Sequence, residues 1–268
     1  MEVISFLLAP FLMCLVLVGI HCYLGLHVLR REVIFIDLSL AQVASLGSTV
    51  ALLFHVEHNT SHSYFLSLGF TLLASLYFAW AKRYEKRISQ EVLIALVYAF
   101  SSAAVVLVVN MLAHGAEHIK EILVGKILWV SMEDVGKTAL IYALVAIVHY
   151  IFRKQMFKAT NGVAQNNKFW WDFIFYALFG VVITSSVGIA GILLVFSFLV
   201  VPALVSMQFV KTIKSQLFLG WGIGSVLSLI GMILSYAYDL PSGAIIVVVF
   251  TMVPLLGIGL LTTKKKGE

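Results

Sequence analysis

Asp37 lies in the stretch VIFIDLSLAQVASLGSTVALLF, residues 33–54, among side chains otherwise suited to lipid. Gln42, Ser45, Ser48 and Thr49 accompany it. A carboxylate at such depth is expensive, and intramembrane acids face a bundle interior or an aqueous path rather than acyl chains. At 100° per residue with Asp37 at zero, Ser48 falls at about 20°, Ser45 at about 80°, Thr49 at about 120° and Gln42 at about 140°. The polar groups thus share one side of a helix, interrupted by Leu38 at about 100°. Such a stripe lines an ion path, or its small and hydroxyl side chains serve close helix packing and hydrogen bond across the contact. A third reading pairs Asp37 with Arg30 or Arg31, a few residues upstream.

Histidines supply a second pattern. FHVEHNTSHSY carries His55, Glu57, His58 and His62, and AHGAEHIKE carries His114, Glu117, His118 and Glu121. Spacings of three and four bring imidazoles and carboxylates onto one helical face, a donor set suited to Zn²⁺ and similar divalent ions. Neither stretch completes a tight-site motif, so capture or passage of a metal stands beside a solvated connection that happens to hold histidine. His21, His27 and His149 read as packed or interfacial residues. Cys14 and Cys22 lie eight residues apart in one run and cannot reach each other on a helix, which excludes an internal disulfide and leaves two buried small side chains or, as the alternative, a soft-metal pair. The chain holds no G-x-x-x-x-G-K phosphate loop, no G-x-S-x-G elbow and no H-E-x-x-H pair, so energy for uphill work must come from elsewhere.

The elements that position these residues follow from composition. Of 268 residues, 61% are hydrophobic and 12% charged, far from a soluble domain. Apolar runs at 4–29, 33–54, 64–81, 92–113, 138–152, 169–187, 189–208, 216–237 and 242–261 predict an all-α, polytopic transmembrane bundle of about eight to nine spans, one domain over 1–268. The division at VGIAG is the weakest, and a single long broken helix competes there. The first run has no basic n-region and exceeds a signal-peptide core, so it reads as a retained helix.

Alternate connections then carry the charge. One set holds Arg30 and Arg31, Lys82 to Arg87, Arg153 to Lys168, Lys211 and Lys214, and Lys264 to Lys266, which is 15 of the 18 basic residues. The opposite set holds only Lys120, Lys126 and Lys137. Lys and Arg stay cytoplasmic, so the pattern predicts an outside N-terminus and an inside C-terminus. The net charge of +5 is therefore topology, with anionic lipid as a partner, and not affinity for nucleic acid. Gly188, Gly191 and Pro202 mark possible hinges or ordinary packing kinks, since a broken membrane helix needs protein or water to meet its backbone.

VLRREVIFIDLSLAQVASLG, LVGKILWVSMEDV, GILLVFSFLVVPALVS and SYAYDLPSGAIIVVV, in this order, resemble the permeases of the zinc/manganese ABC importer family. The resemblance covers nearly the whole chain. It implies a membrane-spanning subunit that moves zinc, manganese or iron by alternating access, paired with a second copy in a homodimer in the cell (inner) membrane. It further implies a cytoplasmic ATP-binding subunit that hydrolyses ATP, an extracytoplasmic metal-binding protein, and no cofactor beyond the transported divalent ion. A self-contained proton- or sodium-coupled carrier and an ABC permease for a metal chelate are the alternatives.

Two sites are implied by that resemblance. The family carries an Asp and, four residues on, a His in the helix that resembles 33–54. Here Gln42 stands at the histidine and Leu38 at the aspartate, with Asp37 displaced by one. Gln42 offers a carbonyl oxygen in place of an imidazole, which weakens affinity for zinc. RKQMFKATNGVAQNNK resembles the family's coupling segment, a short helix ending in Ala-x-x-Gly that docks on the ATPase, so Ala159 and Gly162 are the expected coupling residues.

Overall fold

The computed structural model describes residues 2–56, 60–112, 115–163 and 167–264, without the side chains of 2–5, 115–116 and 258–264. Among the described residues ten α-helices run in chain order: α1 Glu2–Arg30, α2 Ile36–Leu53, α3 Ser61–Ala81, α4 Gln90–Val109, α5 Gly115–Val124, α6 Met132–Ile151, α7 Arg153–Thr160, α8 Lys168–Phe209, α9 Ile213–Tyr238 and α10 Ser242–Lys264. No strand occurs among the described residues. All nine apolar runs fall in helices, because only an intra-segment hydrogen-bond ladder satisfies the backbone in lipid. Among the described residues seven helices are long and apolar enough to cross a membrane, and this is a multi-pass membrane protein.

Local chemistry sets the ends. The Thr60 hydroxyl accepts from Ser63 N–H at the start of α3, and Thr212 does the same for Ser215 at the start of α9. Ser131 and Asp134 close a reciprocal capping box that starts α6 at Met132, six residues ahead of its apolar run. Asp239 ends α9 in the left-handed conformation, φ +51°, just before Pro241 and α10.

Burial separates the helices by role. The apolar stretch of α2 is 72% buried and that of α4 only 22%, so α2 lies in the interior and α4 leaves Leu96, Phe100 and Leu107 exposed. α2 packs on α3, α4 and α8, while α8 also packs on α1, α9 and α10. Close approach requires small residues: a Cβ at Gly47 of α2 would fall 2.6 Å from Ser67 Cα of α3. The two cysteines are buried and unbridged.

α8 merges two of the runs, as the broken-helix reading holds. At about 1.5 Å per residue its 42 residues would stretch roughly 63 Å, twice the hydrocarbon thickness. Gly191 breaks it, with φ +75° and ψ 162°. Both arms return to one end of the bundle. Asp172 of the first arm binds Arg31 at the end of α1, and Gln216, whose amide donates to Val210 O after the second arm, accepts from Arg30. Lys82 at the end of α3 joins Asp172, and Arg83 stacks on Phe169. Four of the basic connections thus meet at one end, as the charge alternation predicts.

The Gly191 turn is held at the other end by two neighbouring segments. Lys126 N–H donates to Ile189 O at 2.9 Å, meeting a carbonyl that the break frees. A Cβ on Gly125, φ +70°, would fall 2.6 Å from Ala190 O, and one on Gly243 would fall 2.9 Å from Val124 Cγ1. Three of the four stretches that carry the family resemblance contribute one glycine each to this junction.

Candidate functional site

The polar face of α2 is where the chain concentrates its unusual chemistry. Asp37, Gln42, Ser45 and Thr49 on this face are buried, Asp37 to 1% exposure, as is Ser39 beyond its edge, and Ser48 is half-buried. They extend from the first turn of the helix to its last, about 18 Å along the axis between Asp37 and Thr49. Asp37 Oδ1 accepts from the N–H of Leu38 at 2.6 Å. Arg30 and Arg31 do not pair with it, since Arg30 turns to Gln216 and Arg31 to Asp172. The ion-pair reading of Asp37 therefore gives way to a carboxylate held inside the bundle without a basic partner among those two.

Part of the face is spent on α2 itself. Ser48 and Thr49 both donate to Ser45 O, at 2.9 and 2.6 Å. The hydroxyls of Ser39 and Ser45 have no protein partner among the described residues. Buried polar atoms are almost always met by protein or water, so these two leave bonding capacity for water or a passing ion.

α5 completes the far end. His118 is 8% exposed, and its Nε2 lies 3.2 Å from Thr49 Oγ1. The connection that holds AHGAEHIKE thus folds as a short helix and delivers one imidazole to the end of the α2 stripe. Periodicity on α2 alone gives no sign of that meeting, because the partners lie 69 residues apart. His55 and His62 are exposed, His55 at φ +57° just after α2 and His62 in the first turn of α3. His58 and His114 lie outside the described residues. Among the described residues no three His, Cys, Asp or Glu side chains gather as a metal site. The arrangement is a row of separate oxygen and nitrogen donors, suited to an ion in transit that must bind weakly enough to leave.

The opposite end carries a second polar centre, built on α7. Met156, Ala159 and Thr160 are buried, while Arg153, Lys154 and Lys158 are exposed. Ala159 therefore packs inward and Gly162 lies on the surface. Gly162 has φ +67°, and Val163 N–H reaches back to Lys158 O at 3.0 Å, the bond of a Schellman stop. No atom lies within 4 Å of where a Gly162 Cβ would sit. Gly162→Ala therefore costs only the left-handed backbone penalty of about 1–2 kcal/mol, confined to this turn. Amide exchange at Asn161 and Val163 should rise about tenfold while exchange in α8 stays unchanged.

Thr160 Oγ1 meets His27 Nδ1 at 2.7 Å and accepts from Arg31 Nε at 3.2 Å. Arg31 Nη1 continues to Asp172 at 2.8 Å, and its guanidinium stacks 3.9 Å from the Phe175 ring. Lys82 Nζ reaches the same carboxylate at 3.3 Å. Asp172 does not stand out in the sequence. The available signal was one acid inside the apolar run that begins at 169, the same signal that exposed Asp37. The histidines set aside as packed residues are indeed buried: His21 bonds Leu17 O and Ser186, and His149 bonds Tyr23.

The potential hinges differ in setting. Gly188 is helical and exposed with open space beside it, Gly191 is the break itself, and Pro202 lies in the second arm against Gly220 and Gly224 of α9.

A many-helix membrane bundle with an interior polar row and a basic end capped by a short exposed helix has the build of a transport permease. The chain belongs to the ABC 3 transport family, whose model matches residues 4–260. It is 28% identical over 195 residues to the manganese transport system membrane protein MntC of Listeria innocua, covering 68% of this chain and 69% of that one. A "Probable iron transport system membrane protein" of Haemophilus influenzae is 24% identical, with 73% and 72% covered. Among solved structures, PsaBC from Streptococcus pneumoniae in complex with Fab superposes with a TM-score of 0.73 at 19% identity, covering 94% of this chain and 90% of that chain.

Proposed function

We propose that this chain is the membrane-spanning subunit of an ATP-driven importer of divalent metal ions, and that the ion passes along the polar face of α2. The observation that carries the reading is the buried polar side of α2, with Asp37, Gln42, Ser45 and Thr49 spaced along it, extended by His118 of α5. Membership of the ABC 3 transport family supports it, as do the manganese and iron systems named among the relatives.

In this reading the basic end faces the cytoplasm and an ATP-binding subunit docks on the exposed side of α7, with Ala159 seating the helix and Gly162 ending it. The His118 end faces outward. There a metal-binding protein delivers the ion, His55, His58, His62 and His114 hold it in passing, and His118 hands it to Thr49 and the α2 row. A second copy of the chain completes the permease. Asp37 supplies the one formal negative charge on the row, and the Gln42 carbonyl an oxygen, so Mn²⁺, Zn²⁺ and Fe²⁺ are the ions to compare.

The test is co-purification with candidate ATP-binding subunits, followed by ATP hydrolysis and vesicle uptake with each ion. ATP-dependent uptake of at least one is expected. Uptake driven by a proton or sodium gradient with no ATPase present would overturn the proposal.

A further inference from the structure

Part of the contact of α7 with the rest of the protein is apolar. Met156 and Ala159 are buried, and Phe157 packs its ring 4.8 Å from that of His27. Such contacts are non-directional and let a helix slide or roll at small cost. Thr160, in the last turn of α7, is different. It is 4% exposed, and its single hydroxyl oxygen is shared by two α1 side chains one turn apart, His27 and Arg31. Hydrogen bonds fall away steeply with distance and angle, so this oxygen fixes the register of α7 on α1.

The bond does not end at α1. Arg31 is joined to Asp172 on the first arm of α8, and the far end of that arm is the Gly191 turn. If α7 moved and α1 did not, Thr160 would leave two buried partners unmet, and Arg31 already has Nη2 without a partner among the described residues. Leaving buried polar groups unpaired is costlier than moving the pair together. A displacement of α7 is therefore passed to α1 and to α8.

We propose that Thr160 is the positioning residue that converts movement of the docked ATP-binding subunit into movement of α1 and of the first arm of α8. This rests on α7 being the docking segment. Thr160→Val keeps the shape of the side chain and removes the oxygen; Thr160→Ser keeps the oxygen. The readout is uptake of Mn²⁺ or Zn²⁺ per ATP hydrolysed, in vesicles carrying the permease with its ATP-binding subunit. Thr160→Val should assemble and hydrolyse ATP within about twofold of the original, while uptake per ATP falls about tenfold or more. Thr160→Ser should restore most of it. Should Thr160→Val not assemble, Thr160→Ala carries the same expectation.

An intact Thr160→Val complex with unchanged uptake per ATP would overturn this inference alone. Hydrolysis and uptake falling in equal proportion would do so too, because that is what loss of fold or of docking gives. Failure of the unaltered chain to retain any ATP-binding subunit would overturn the proposed function itself, and the inference with it.

Discussion

Asp37→Asn is expected to stop uptake of both Mn²⁺ and Zn²⁺ while leaving the amount of folded chain in the membrane unchanged. Asparagine has the shape of aspartate and keeps an oxygen that can accept from Leu38 N–H. What it removes is the ability to become an anionic ligand. A buried carboxyl group with no basic partner among the described residues costs several kcal/mol to keep charged, so a purely structural Asp37 would be no worse replaced by asparagine. The variant should therefore melt no lower than the original in detergent. An ion passing the neutral amide instead loses its one anionic ligand on the α2 row. A loss of about 3 kcal/mol at that step would slow uptake roughly a hundredfold. The check is vesicle uptake alongside a thermal melt of the same preparation. Uptake within twofold of the original would take Asp37 off the path, and a lower melting point with partial uptake would make it part of the packing.

Gly191→Ala should have the largest effect on stability. A Cβ there would fall 2.5 Å from the carbonyl carbon of Val124, which is backbone and has no rotamer in which to retreat, and the residue already stands at φ +75°. Overpacking at about 1–3 kcal/mol and the left-handed penalty at about 1–2 kcal/mol act together. The variant should lose about 3 kcal/mol or more, read as a large fall in the melting midpoint or as failure to purify in one species. Gly188→Ala is the control. Gly188 is helical with open space around it, and alanine gains up to about 1 kcal/mol there from helix propensity. Equal stability of the two variants would show that the junction of Gly125, Gly191 and Gly243 does not hold the turn.

That pair shows where reading the sequence stops. Gly188 and Gly191 look alike in VGIAG, and both are reasonable points of bending in an apolar run. Their difference comes from residues 125 and 243, which no local pattern links to them. The same holds for charge. Asp37 stood out because a carboxylate in an apolar run is conspicuous, and its helical phase predicted the buried face. Asp172 is equally exceptional but lies beside Lys168 at the edge of its run, where an acid passes as interfacial. Its partner Arg31 is 141 residues away. Among the histidines, His55, His62 and His118 offered the same spacing signal, yet only His118 is buried against α2, because α5 forms a helix that turns it inward.

The sequence by itself determined that this chain is an all-helical, multi-pass membrane protein, where its long apolar helices lie, and which face of α2 is polar. Lipid makes those features local: each span must satisfy its own backbone and show its own apolar length, so each is written in one continuous stretch. Only the tertiary structure decided that α8 folds back at Gly191, that His118 meets Thr49, and that Thr160, Arg31 and Asp172 join three helices at one end. Those contacts depend on which helices are neighbours. That choice is made by small residues and single polar groups far apart in the chain, and a hydropathy pattern carries no record of it.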